Sequence, residues 1–213
     1  MQRPAPSAEG GAASMLARLL ATDGTAGHPH AARLAERRAS PRDLGDAVHA
    51  LCAVHGHHPD LLTLAAGLSL DAPQRAWLSA AADAFAAERA GLARLVAAAG
   101  PLPSTPGQAE TEAALTHERH ALEMLARSER GGVALGAAAA LVGDWAAVRP
   151  ALARAADRFG VDLPGATLPA LEPLLDRAET PERAIAFGAQ QLLAQHRGLW
   201  SLLEARASAR SAH

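Results

Sequence analysis

The stretch Asp71-APQRAWLSAAADAFAAERAGLARLVAAA-Gly100 decides the fold. Asp71 supplies a capping oxygen, Pro73 sits in the first turn where its missing N–H costs nothing, and the run to Ala99 contains no breaker. Leu78, Ala81, Phe85, Leu92 and Leu95 recur at three, four and seven residues, so they share one face of a helix. One polar residue, Glu88, stands in the middle of that face.

The same pattern recurs in both directions. Ser14 is a cap for a helix over 15–21, and a short helix is expected over 30–39. Ser40-Pro41 opens another that runs to about Val54, and Pro59 starts a short one ending near Leu68. After the linker GPLPSTPG, helices are expected over 108–128, 133–159, 168–177 and from Thr180-Pro181-Glu182 to about Ala207. Pro150 should kink the 133–159 segment or divide it in two. β-branched and aromatic residues are too few for strands. The reading is all-α: a single bundle of five to seven helices over 14–207, with a disordered tail at 1–13 and a flexible one at 208–213.

Composition narrows the chemistry. The chain has 213 residues, 56 of them Ala and 31 Leu, with no Lys, Asn or Tyr, so all 20 basic side chains are Arg. Such usage fits the codon bias of a high-GC bacterium. A formal charge of −2 and 3% aromatic residues argue against a nucleic-acid groove. Absence of Lys excludes Schiff-base and P-loop chemistry. The uncharged, Ala- and Gly-rich stretch Gly131–Gly143 is too short for a bilayer, which takes roughly 20 residues. No secretory leader is evident, so the expected compartment is the cytoplasm. The lone Cys52 excludes a disulfide framework and reads as an inert thiol in a helix. Trp77, Phe85, Trp145, Phe159, Phe187 and Trp200 are the expected core anchors.

Function rests on polar residues that fall on apolar stripes. Glu88 joins Glu118, which is centred between Leu115, Leu122 and Leu125. His196 lies on the stripe of Ile185, Leu192, Leu199 and Leu203, and His55 continues that of Leu44, Val48 and Leu51. Two carboxylates and two imidazoles pointing inward from four helices could hold iron, manganese or zinc, whose charge offsets the cost of burying carboxylates. The competing reading pairs each carboxylate with an Arg, and Arg149 falls near the apolar face of its helix. Asp46-x-x-His49 and His117-Glu-Arg-His120 are further i,i+3 pairs, and His30, at the start of a short helix, is a candidate axial haem ligand. His55-Gly56-His57-His58 reads as a helix C-cap.

In chain order, Asp46 with His49, then Glu88, then His117 or Glu118 with His120, resembles the ferritin-like di-iron carboxylate proteins. Those proteins alternate single Glu residues with Glu-x-x-His pairs. This chain holds Asp46 and His117 where they have Glu. The number and length of the helices also resemble the haem-oxygenase-like bundles. The resemblance implies a metal-dependent oxidoreductase. The alternative is a non-catalytic helical binding or adaptor module with a buried polar network, taking a small-molecule ligand or a protein partner, with a homo-oligomer open to either reading.

Overall fold

A computed structural model describes residues 11–68, 71–171, 174 and 181–212. Among the described residues the chain is all-helical, with eight α-helices where five to seven were expected. In order these are α1 (Ala12–Asp23), α2 (Pro29–Ala35), α3 (Pro41–His55), α4 (Leu61–Ala66), α5 (Ala72–Ala99), α6 (Gln108–Ala126), α7 (Val133–Phe159) and α8 (Glu182–Ser211). A single 3-10 turn, Thr25–Gly27, links α1 to α2. The expected N-terminal tail lies almost wholly outside the described residues, as does most of the helix expected over 168–177; its described first residues, 168–171, are not helical, and Leu174 is.

Caps set the boundaries. The Asp71 carboxylate accepts from the Gln74 amide at 2.8 Å, as its position ahead of α5 predicts. α4 starts at Leu61 rather than at Pro59, with Asp60 as its cap, accepting from the Thr63 amide at 2.7 Å. α7 ends at Gly160, whose φ of 70° is left-handed, and Val161 closes the turn on the Ala156 carbonyl at 3.0 Å.

α7 is the central helix. Every residue from Val133 to Val142 is buried, so this segment is packed on all sides. Its stretch of Ala and Gly is what allows that enclosure. α8 lies against it as the most extensive helix pair of the bundle. A Cβ on Gly136 would stand 2.0 Å from the Ile185 carbonyl oxygen, and one on Gly188 would stand 2.0 Å from that of Val133. Backbone meets backbone at both points, which fixes the crossing.

α7 is not divided at Pro150. The helix runs unbroken from Val133 to Phe159. Pro150 and Ala146, whose carbonyl loses its intrahelical partner, both lie on the exposed side, where water can serve that carbonyl. Of the expected anchors, Trp77, Phe85, Trp145 and Trp200 are buried, Phe159 is half-buried, and Phe187 is 44% exposed. Phe187 follows Ile185 by two residues, which turns it most of the way round the helix from the Ile185 face. No described helix is long and apolar enough to cross a membrane.

Candidate functional site

The stripe of α5 delivers Glu88 to the interior, where it is 2% exposed. Three donors surround it. Arg149 Nη1 reaches both carboxylate oxygens, at 3.1 and 3.0 Å. Trp145 Nε1 donates to Oε2 at 3.0 Å, and the Ala166 amide donates to Oε1 at 3.1 Å. The last bond pins the segment after α7 onto α5. Beside the pair opens a cleft of about 430 Å³, walled by Val142, Trp145, Ala146, Leu168 and Leu171, with Glu88 and Arg149 as its charged groups.

Trp145 also connects Glu88 to the histidines. The His55 ring meets the Trp145 ring edge-on at 5.3 Å and the His196 ring at 5.0 Å, with Phe85 at 6.4 Å. His196 Nδ1 is 2.7 Å from Asp144 Oδ2. Thr25 completes the Asp144 carboxylate, its amide on Oδ1 at 2.7 Å and its hydroxyl on Oδ2 at 2.6 Å, while Trp200 Nε1 donates to that hydroxyl oxygen at 2.9 Å. A continuous buried chain therefore runs Glu88–Trp145–His55–His196–Asp144 through α5, α7, α3 and α8. The Nε2 atoms of both histidines are buried without a partner. A notch of about 20 Å³, lined by His55, Phe85, Leu122 and Arg119, leads to His55; that is room for one water.

Electrostatics follow burial. The His55 imidazole is held well below its ordinary value by burial and then by His196. Burial pushes Asp144 upward, but the hydrogen bond and charge of His196 and the two Thr25 bonds outweigh it and leave the carboxyl below its ordinary value. Glu118 is 6% exposed, its Oε1 has no partner, and burial pushes it up to about 8. It is a neutral acid at pH 7.

The remaining candidates lie apart. Asp46 is 2% exposed, yet it accepts from Arg206 Nε at 3.0 and 2.9 Å and from Arg210 Nη1 at 2.7 Å. Arg206 continues to Thr111 Oγ1 at 2.8 Å and Gln108 Oε1 at 3.1 Å, tying α3 and α8 to α6. His49 Nε2 lies 2.9 Å from the Gly100 carbonyl. His117 and His120 are exposed, as their offset from the Leu122 face requires. His30 is buried, its Nδ1 3.3 Å from Arg33 Nη2, at the edge of an open cleft of about 620 Å³ between α2 and α8.

The inward-facing set of Glu88, Glu118, His196 and His55 thus does not form one ligand shell. The two histidines meet, whereas Glu88 is committed to Arg149, the partner that the competing reading named. Among the described residues no group of three or more His, Cys, Asp and Glu side chains is placed to hold a metal ion. Asp144, Thr25 and Arg206 were missed. Arg206 was within reach of the pattern, since it lies three residues beyond Leu203 on the α8 stripe. Asp144 directly follows the uncharged stretch of α7, and Thr25 carries no periodic signal at all.

Residues 20–211 match the profile of a family of unknown function (DUF6975), and the chain belongs to that family. No curated protein and no solved structure matches it. The ferritin-like and haem-oxygenase-like resemblances, and metal binding with them, are not supported. Asp46 is held by arginines, and His117 and His120 face away from the core.

Proposed function

We propose that this member of the DUF6975 family is a non-catalytic helical binding module, whose buried carboxylates paired with Arg or His hold the bundle in register. The observation that carries this reading is the engagement of Glu88 by Arg149, Trp145 and Ala166. A buried carboxylate with a guanidinium and two further N–H donors needs no metal to offset its desolvation. Asp46 with Arg206 and Arg210, and Asp144 with His196 and Thr25, follow the same logic. What the module holds out for binding is the cleft beside Arg149.

The test is elemental analysis with an absorption spectrum on tag-free protein purified without chelator. The expected result is no stoichiometric metal and no chromophore. One or two equivalents of iron, manganese or zinc, lost in Glu118→Ala, would overturn it.

A second reading, the metal-dependent oxidoreductase, draws on one observation: the two partnerless Nε2 atoms of His55 and His196, with Asp144 behind one imidazole as carboxylates commonly stand behind metal-binding histidines. It predicts metal that is lost in His196→Ala and kept in Glu88→Gln.

A further inference from the structure

We propose that the cleft beside Arg149 binds a neutral molecule bearing a carbonyl-type acceptor on an apolar body, such as an acyl amide or ester, and rejects the corresponding carboxylate. This rests on the binding-module reading and names what the module takes.

Size and lining come first. A cleft of about 430 Å³ falls within the usual range for small-molecule sites, about 300–1,000 Å³. Val142, Trp145, Ala146, Leu168 and Leu171 give it an apolar wall, suited to a hydrocarbon body. Its charged groups are the two members of one ion pair, and they are unequally placed. The Glu88 side chain is 1% exposed and that of Arg149 is 24% exposed, so Arg149 is the member that an incoming molecule meets. Arg149 commits only Nη1 to Glu88. Its other N–H groups have no partner among the described residues, and Nη2 lies under the backbone, 3.3 Å from where a Cβ on Gly165 would stand.

Charge then decides the ligand class. Glu88 already compensates the guanidinium, so what Arg149 offers the cleft is donor capacity without net charge. A carbonyl oxygen accepts from those N–H groups and brings no charge with it. A carboxylate would set a second anion across one guanidinium from Glu88, whose side chain is 1% exposed and whose charge is already matched by that guanidinium. The pair selects against acids because Glu88 is there. Removing the Glu88 charge must therefore invert the preference.

The experiment titrates octanamide and octanoate into the full chain at neutral pH and follows tryptophan emission, since Trp145 lines the cleft. Metal content of the same preparation is measured first, so the binding-module reading stands or falls separately. Saturable binding of octanamide, with octanoate weaker by about tenfold or more, is expected; tenfold is about 1.4 kcal/mol. In Glu88→Gln, octanoate should become the tighter ligand. In Arg149→Leu, octanamide should lose about tenfold and octanoate should gain nothing. Octanoate binding the unaltered chain as tightly as octanamide, or neither binding, overturns the proposal. An unchanged order in a Glu88→Gln protein that keeps its helical circular dichroism does so too. Should that variant fail to fold, the comparison on the unaltered chain decides alone.

Discussion

Asp144 and His196 lie 2.7 Å apart at the centre of the bundle, both 2% exposed, and the bond runs from one imidazole nitrogen only. With Nδ1 donating to the carboxylate, a neutral His196 must carry its lone pair on Nε2. The His55 ring stands 5.0 Å away, and its own Nε2 is equally without a partner. The core thus stores two imidazoles whose Nε2 atoms no protein group satisfies. Charging His55 there carries a cost, because burial and then the neighbouring His196 disfavour its protonated form.

That cost predicts an acid limb. The folded-state value of His55 lies below its unfolded value, so the unfolded chain binds the extra proton first. Stability is full above the ordinary imidazole range and falls as pH drops through it. The groups facing His55 are His196, with Asp144 behind it, and Arg119, Glu123, Asp60 and His57 around the notch. Asp144, also depressed, adds to the same loss at lower pH. Because Glu118 titrates in the opposite sense over the same range, the fall is read in Glu118→Gln: its urea midpoint should drop between about pH 7.5 and about pH 5.5, and adding His55→Phe should flatten the drop. A slope unchanged in that variant would remove His55 as the cause.

Glu118 predicts the opposite limb. Its folded value, about 8, lies above the unfolded one, so its contribution is full in the ordinary carboxylate range and below. It is lost progressively as pH rises to about 8. At neutral pH the accumulated loss is on the order of 3 kcal/mol. Glu118→Gln keeps the shape and cannot ionise, so it should be more stable than the unaltered chain at neutral and alkaline pH. Thermal melts at about pH 5 and about pH 8.5 measure this, with a gain expected only at the higher value. Equal gains at both would mean that burial of a polar group, and not its ionisation, is what Glu118 costs.

Helical geometry accounts for which of these residues were legible. A period of 100° places Glu88, Glu118, His55 and His196 on buried faces, and all four are buried. The same geometry turns His117 and His120 outward. It says nothing about what meets a residue from another helix. Arg149 could be matched to Glu88 in advance because it lay near its own apolar face. Asp144 and Thr25 could not, because their pairing depends on how α7, α8 and the turn after α1 pack, and they are 119 residues apart in sequence. The four do not converge for the same reason: inward residues imply a common centre only if the helices cross at one level.

The Asp46 cluster should be the costliest polar site to break. Arg206→Met leaves Asp46 with Arg210 alone and removes the donor to Thr111 Oγ1 and Gln108 Oε1, all on buried or half-buried groups. Removing one partner of a buried pair typically costs about 3–5 kcal/mol, whereas replacing both by apolar residues is far milder. Arg206→Met should therefore unfold at markedly lower urea than the Asp46→Leu/Arg206→Met double variant. A double variant weaker than either single would show that the pair is net stabilising rather than merely matched.

The crossing of α7 and α8 makes the sharpest contrast available within one helix. A Cβ on Gly188 would lie 2.0 Å from the Val133 carbonyl oxygen and 3.0 Å from the Ala137 amide nitrogen, and neither is a side chain that can swing away. Gly188→Ala must push the helices apart, opening the packing around Ile185 and Leu192 on the same face of α8. A loss of about 3 kcal/mol or more is expected, at the upper end for overpacking. Gly198, ten residues on in the same helix, is exposed, and a methyl added there would have nothing within 4 Å. There Ala should stabilise by about 0.5–1 kcal/mol through helix propensity alone. Chemical denaturation of the two variants reads both signs, and a tolerated Gly188→Ala would mean that the two backbones do not meet as closely as described.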